Sequence, residues 1–325
     1  MFRKLLLTVG TITLLLAACT PAQPAVEATS VETEVPAFSP STEATPGQPV
    51  TLTDGMGREV QLAGPAQKVV SLAPSNTEIL FAVGAGAQVA GRDMFSDYPE
   101  EAKAATDIGG SMGQFSLEAI TALQPDLVLA GGINPPELVA SLEELGLTVY
   151  FLPNPATLEE MYANLETVGR LTGHETEAAA LVESLIVRVQ AVDEKIAPLS
   201  YRPTVFYELD STDPAKPYTA GPGTFVDLLI DRAGGFNVGA SLQGQWAQIS
   251  LEQLVVYNPS IILLGDSLFG VTVEAVKSRP GWEVLTAVQN DQVFPFDDNL
   301  VSRPGPRLVD GLEALAKLLH PGVLE

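Results

Sequence analysis

Trp246 stands in a polar, glycine-containing segment, with Gln245 directly before it and Gln248 shortly after it. An indole ring offers a large rigid contact surface, and glutamine amides offer hydrogen bonds without net charge. That combination suits the binding of a large flat or apolar ligand. The polar surroundings favour an indole at the rim of a binding site over one packed in the core.

Groups that could perform catalysis are poorly placed in this sequence. Its two histidines, His174 and His320, lie at predicted helix ends, where we expect solvated side chains. No Gly-x-Ser-x-Gly elbow is present to support a serine nucleophile. Asp97, Asp297 and Asp298 could be imagined as paired carboxylates, but isolated acids in a chain with 40 Asp and Glu are mostly solvated surface. We therefore predict a protein that is not an enzyme, with no catalytic residue and no cofactor.

The only cysteine, Cys19, has no partner for an internal disulfide. Together with two histidines that lie far apart in sequence, it cannot form a Cys/His zinc site, and a capture site for zinc or manganese would need several converging ligands. We therefore predict no metal site.

Two segments of the chain match each other without a gap, namely SLEAITALQPDLVL at 116–129 and SLEQLVVYNPSIIL at 250–263. In each copy a serine can cap a short helix, a glutamate lies in the first turn, and a proline stops the helix before a buried strand. A good helix start would explain this pattern on grounds of stability alone. A diverged duplication would also make Glu118 and Glu252 a matched pair, which suits a partner that is itself two-fold symmetric.

The N-terminal segment has the features of an export signal. Residues 1–18 contain a basic start, an apolar stretch and two alanines. The sequence Leu16-Ala17-Ala18-Cys19 resembles the bacterial lipobox, in which the cysteine becomes lipid-bearing, although a plain signal peptide with an accidental cysteine is the alternative. Residues 19–49 are rich in Pro, Ser, Thr and Glu and are expected to form a disordered tether. We predict an extracytoplasmic protein that is anchored to the bacterial cell membrane through Cys19.

Composition limits the remaining classes. The 325 residues are 46% hydrophobic and 18% charged, which is typical of a globular chain. Lys and Arg number 17 against 40 Asp and Glu, for a formal charge of -23. Such a charge repels phosphate backbones and anionic membrane surfaces. We therefore predict no nucleic-acid partner, and contact with the membrane only through the lipid anchor.

From about residue 50 onward, short β-rich runs alternate with helical patterns, which indicates an α/β fold. A stretch without Gly or Pro, Glu175 to Ile196, has apolar residues at spacings of three and four, so we predict one long amphipathic helix that could bridge two lobes. The first helix is expected from Thr77 to Val83, and the closing helix from Gly311 to Leu319.

Five motifs follow one another in the chain: VVSLAPSNTE at 69–78, GRDMFSDYP at 91–99, QPDLV at 124–128, WAQISLE at 246–252 and RPGPR at 303–307. In this order they resemble the substrate-binding proteins of ABC importers for vitamin B12, ferric siderophores and haem, and most of all the vitamin B12-binding branch. The resemblance covers roughly residues 50–320.

The resemblance implies two Rossmann-like lobes joined by one long helix, with the ligand cleft between them. Residues 50–172 would form the N-terminal lobe, 173–198 the linking helix and 199–325 the C-terminal lobe. The protein would act as the solute-binding component of an importer, expected to be a monomer. Glutamates at the outer ends of the lobes pair with arginines of the dimeric permease in this family, and Glu118 and Glu252 match those positions.

In the vitamin B12-binding branch, aromatic side chains from both lobes cover the corrin. Phe95, Tyr218 and Trp246 match such positions, whereas Met112 stands where the branch has a tryptophan. The expected ligand-binding residues are Ser75, Phe95, Met112, Gln114, Tyr218, Trp246, Gln248 and Arg303. A cobalamin or other corrinoid is therefore the favoured ligand.

Other ligands and classes remain open at this point. A ferric catecholate carries negative charge and would be expected to gather several basic residues, for which Arg92 and Arg303 are the obvious candidates. Haem usually needs an axial His or Tyr, which leaves Tyr218. A structural or adhesive lipoprotein fits the anchor and tether equally well, but the duplication and the bridging helix count against it.

Overall fold

The computed structural model describes residues 48–323. The predicted signal peptide, Cys19 and nearly all of the predicted tether lie outside the described residues. The strands are β1 Val50–Thr53, β2 Glu59–Leu62, β3 Val69–Ser71, β4 Val89–Arg92, β5 Thr106–Asp107, β6 Gly109–Ser111, β7 Gln114–Phe115, β8 Leu127–Gly131, β9 Val149–Leu152, β10 Thr204–Asp210, β11 Tyr218–Ala220, β12 Phe236–Asn237, β13 Trp246–Gln248, β14 Ile261–Leu264 and β15 Val293–Pro295.

Helices and short 3-10 segments connect these strands. The α-helices are α1 Pro74–Ala82, α2 Leu117–Ala122, α3 Pro136–Glu144, α4 Leu158–Thr172, α5 Glu175–Ile196, α6 Phe225–Arg232, α7 Leu251–Tyr257, α8 Val273–Lys277, α9 Thr286–Gln289, α10 Asn299–Ser302 and α11 Leu308–Leu319. The 3-10 segments are Ala85–Gln88, Glu100–Ala104, Val238–Ser241, Gly265–Phe269 and Trp282–Val284.

The first lobe is built on a parallel sheet with the strand order β5-β4-β3-β8-β9. Every residue of its strand β8 is buried, and β3 is buried as well, as expected for strands covered by helices on both faces. Two antiparallel hairpins, β1-β2 and β6-β7, lie outside this sheet.

The second lobe is built on a mixed sheet with the order β13-β11-β10-β14-β15, in which β12 also pairs with β10. Strands β10, β12, β14 and β15 are parallel. Strands β11 and β13 run antiparallel and form a ribbon at one edge of the sheet. The α/β architecture with two Rossmann-like lobes is thereby confirmed.

In chain order, the long helix α5 comes after the strands of the first sheet and before those of the second. Its bounds, Glu175–Ile196, are the ones predicted from the sequence. It packs against α4 of the first lobe and α11 of the second. Ion pairs fix its second half to the second lobe, because Arg188 binds Asp310 and Glu313, and Asp193 binds Arg232.

The internal duplication extends to local geometry. Ser116 and Ser250 cap α2 and α7 by accepting a backbone N–H, and the second of these caps is a full capping box with Gln253. The residues before the two prolines, Gln124 and Asn258, both adopt the left-handed conformation, with φ of 49° and 44°. That conformation ends both helices ahead of β8 and β14.

Two predicted helix starts were wrong. The first helix begins at Pro74, where the fixed φ of proline and its missing N–H suit the first helical position. The closing helix begins at Leu308, because Gly311 lies inside it, where a Cβ would meet the carbonyl oxygen of Leu300 at 2.4 Å. This glycine therefore permits close packing of α10 and is not a helix boundary.

Candidate ligand-binding cleft

The carboxyl ends of parallel strands are where open α/β sheets bind ligands. In the first lobe, β3 leads into Ser75, β4 into Phe95 and β8 into Ile133. In the second lobe, Tyr218 pairs with Asp210, the last residue of β10. Several of the predicted site residues therefore lie at the carboxyl edges of the two sheets.

On the first lobe, the structure groups Phe95, Met112 and Gln114. Buried Asp93 accepts the backbone N–H of Phe95 at 2.9 Å, and burial raises the pKa of this aspartate. The loop that follows β4 is joined to the β6-β7 hairpin by a backbone hydrogen bond, which the N–H of Met94 donates to the carbonyl of Gly109 at 2.7 Å. Met112 at the tip of that hairpin is 95% exposed, so its thioether is available for contact with a ligand.

On the second lobe, the register of the ribbon groups Tyr218, Trp246 and Gln248. Tyr218 lies opposite Gln248, and Ala220 lies opposite Trp246. Residues opposite or diagonal to each other across an antiparallel pair share one face, so all three side chains project from the same side. Trp246 is 57% exposed, which excludes core packing for the indole.

The two lobes meet through Arg303. Its guanidinium donates to Glu78 at 3.0 Å and to Asp97 at 2.8 Å, and it reaches the carbonyl of Phe95 at 3.4 Å. Partial burial works against the charge on Asp97, but the hydrogen bond and charge of Arg303 outweigh it and lower the pKa of that carboxyl. Arg303 was predicted to bind ligand, and in the structure its guanidinium forms ion pairs with carboxylates of the opposite lobe. Its role toward a ligand stays a prediction.

Glu78 lies at the centre of this contact and was not predicted from the sequence as a functional residue. Its side chain is 1% exposed, and it binds a second arginine, Arg307, at 2.8 Å and 2.6 Å. The guanidinium of Arg307 also lies 4.0 Å from the centre of the Tyr98 ring, within the range of a cation–π contact. Nearby, a Cβ on Gly305 would lie 3.7 Å from the backbone oxygen of Ser75. We name Glu78, Arg303 and Arg307 the interlobe cluster.

Two further arginines, one at the end of β4 and one that follows α8, are paired as well. Arg92, the last residue of β4, lies 3.9 Å from Asp107. Arg279 donates to the buried Glu208 of β10 at 2.6 Å. The guanidinium charges near both sheet edges are thus balanced by carboxylates of the protein itself.

A further set of exposed apolar side chains was also missed. They follow the duplicated strands β8 and β14: Ile133, Leu268 and Phe269. Phe269 is 87% exposed, and Ile133 is held outward by the buried Asn134, whose amide bonds to the backbone of Leu72 and Gly131. Apolar residues after a buried strand resemble core in sequence, so no local signal marked them.

The groups considered for catalysis or haem ligation are dispersed or engaged. Asp298 accepts a hydrogen bond from the hydroxyl of Tyr207, Asp297 accepts one from Asn299, and Asp97 accepts one from Arg303. The expectation of a solvated His320 was wrong, because its ring is buried and lies 3.2 Å from the carbonyl of Gly234. Among residues 48–323, no three His, Cys, Asp or Glu side chains are grouped to hold a metal.

The matched glutamates lie on the surface. Glu118 and Glu252 occupy the first turns of α2 and α7 and are exposed. Neither carboxylate forms an ion pair within the described part of the chain. None of the helices in that part is both long and apolar enough to cross a bilayer.

Two α/β lobes joined by one long helix, with exposed aromatic groups at the carboxyl edges of their sheets, define a two-lobed solute-binding protein. The chain belongs to the periplasmic binding protein family, whose sequence profile matches residues 69–300. This family consists of solute-binding proteins of transporters, which are not enzymes.

Individual relatives agree with that assignment. The chain is 34% identical to an uncharacterized ABC transporter substrate-binding lipoprotein, YvrC of Bacillus subtilis, over 84% of this chain and 86% of the relative. It is 30% identical to the cobalamin-binding protein of Halobacterium salinarum, over 84% and 74%. The periplasmic heme-binding protein RhuT from Roseiflexus sp. RS-1 has a similar structure, with a TM-score of 0.71 and 26% identity over 79% of this chain and 99% of that one. The chain is a solute-binding component of an ABC transporter.

Proposed function

We propose that this protein captures a cobalamin or another corrinoid outside the cytoplasm and delivers it to an ABC permease. The observation that carries the proposal is the presence of half-exposed aromatic rings on both lobes, Phe95 on one and Tyr218 and Trp246 on the other. Rings on both lobes can cover the two faces of a large flat ligand. The exposed amides of Gln114 and Gln248 add hydrogen bonds without charge.

The charge at the sheet edges favours a corrinoid over an anionic ligand. A ferric catecholate complex or the propionates of haem would need free guanidinium groups. Arg92, Arg279 and Arg303 are each paired with carboxylates, and their side chains are at most 15% exposed. Glu208 and Glu78, the partners of Arg279 and Arg303, are buried, and leaving such a carboxylate unpaired costs on the order of 3–5 kcal/mol.

A haem or a ferric siderophore is the alternative ligand. The partly exposed side chain of Tyr218 and the similarity to a heme-binding protein favour haem within this alternative.

Titration of the purified protein with separate ligands distinguishes these proposals. We expect saturable binding of cyanocobalamin or cobinamide by calorimetry, with weaker or absent binding of haemin and of an anionic ferric catecholate. A neutral ferric hydroxamate serves as the charge-matched control. Saturable binding of the hydroxamate or of haemin without any binding of the corrinoids would reassign the protein to iron or haem uptake.

We further propose that Glu118 and Glu252 dock the protein on a dimeric permease. Two equivalent carboxylates on duplicated units suit two equivalent cationic sites on a two-fold symmetric partner. The helices that carry them run back from the carboxyl edges toward β8 and β14, so their first turns lie on the same side of the molecule as the cleft. The mouth of the cleft would thus face the permease.

We also propose that a lipid on Cys19 anchors the protein to the membrane. The lipobox-like sequence before Cys19 and the similarity to a lipoprotein support this proposal. Replacement of Cys19 by serine removes the thiol that accepts the lipid, so we expect the protein to leave the membrane fraction. Metabolic labelling with a radioactive fatty acid and fractionation of cells measure this directly. Retention of the Cys19→Ser protein in the membrane, with its label intact, would contradict the proposal.

A further inference from the structure

The face of α7 that carries Glu252 is unexpectedly apolar. Residues three and four positions apart lie on one helical face, so Val255 and Val256 share the face of Glu252. Val256 is 83% exposed and Val255 is 39% exposed. The residue of this helix that packs in the core is Leu254, which is fully buried.

Neither helix stability nor core packing accounts for these valines. β-branched residues are weaker helix formers than alanine, and an exposed valine gains little from burial. The duplicated helix α2 shows the alternative, since the matched positions hold the exposed residues Thr121 and Ala122. The two copies therefore present the same acid but differ in the apolar surface beside it.

We propose that Val255 and Val256 form an apolar contact with the permease beside Glu252, so that the second lobe binds its permease subunit more tightly than the first lobe does. This inference rests on the proposed docking role of the glutamates. The duplication identifies the permease as the partner that covers this face of α7, because a two-fold symmetric partner offers the same surface to α2 and to α7. On this proposal, the permease surface is cationic where it meets the glutamate and apolar where it meets the helix residues one turn after the glutamate.

Exchange of the two helix faces tests the inference. The variant Val255→Thr/Val256→Ala copies the α2 face onto α7, and Thr121→Val/Ala122→Val makes the reverse change. The probe is the permease dimer with its ATPase subunits from the organism that makes this protein, held in lipid nanodiscs. We expect the first variant to weaken docking about ten-fold and the second to tighten it several-fold, with unchanged corrinoid affinity in both.

Charge reversal provides the comparison that separates the two proposals. If Glu118→Lys/Glu252→Lys abolishes docking while both face exchanges leave the dissociation constant unchanged, the apolar contact is overturned and the docking pair stands. If charge reversal of a folded protein also leaves docking unchanged, or the wild-type protein does not bind the permease, both proposals fail. A self-dimer in sedimentation that the first variant dissolves would assign the patch to a second copy of this chain and overturn the inference.

Discussion

Replacement of Trp246 by alanine will weaken corrinoid binding by about ten- to a hundred-fold, because contact with an indole contributes roughly 1 to 3 kcal/mol. The ring is already exposed on the ribbon, so its loss removes ligand contact without opening a cavity in the core. Calorimetric titration with cyanocobalamin measures the effect. Trp246→Phe keeps an aromatic face and should lose less affinity.

Tyr201→Ala is the matched control for this prediction. Tyr201 is also an exposed aromatic residue, but it precedes β10 at the amino edge of the sheet, away from the cleft. We expect its replacement to leave corrinoid affinity unchanged. Equal affinities for the wild-type and Trp246→Ala proteins would show that the ribbon does not touch the ligand.

Glu78→Ala will lower the free energy of unfolding by about 3 to 5 kcal/mol, since it leaves Arg303 and Arg307 partly buried without their shared partner. Burial opposes the charge on Arg307, and the hydrogen bonds and charge of Glu78 outweigh this effect and raise the pKa of that guanidinium. Urea unfolding measures the loss. Glu78→Gln retains hydrogen bonds and is expected to fall between the wild type and the alanine variant.

Glu100→Ala is the control for the interlobe cluster. Glu100 pairs with Lys103 on the surface, and such pairs are worth at most about 1 kcal/mol. A loss for Glu78→Ala as small as that of Glu100→Ala would mean that the cluster does not hold the lobes together.

Local signals predicted much of the fold. The bounds of α5 follow from an apolar period uninterrupted by Gly or Pro, and the caps at Ser116 and Ser250 follow from residue type and spacing. The shared face of Trp246 and Gln248 follows from the alternation of side chains along a strand. These features depend on residues a few positions apart, which a sequence displays directly.

The contacts that the sequence did not reveal are those between distant residues. Glu78 and Arg303 are 225 positions apart, and no local pattern pairs them. The buried ring of His320 lies against the carbonyl of Gly234, in the turn after α6, which is 86 positions away in the chain. The exposure of Phe269 could not be predicted either, because a sequence does not show on which side of a strand end the chain turns.

The pairing of the arginines has a consequence for the speed of capture. A solute without net charge is neither attracted nor repelled by a chain of formal charge -23, and Arg303 at the contact between the lobes is already paired with Glu78. Encounter would then depend on diffusion and on the collision of apolar surfaces, both of which salt affects little. The rate at which such a receptor captures an uncharged solute would therefore change little with ionic strength.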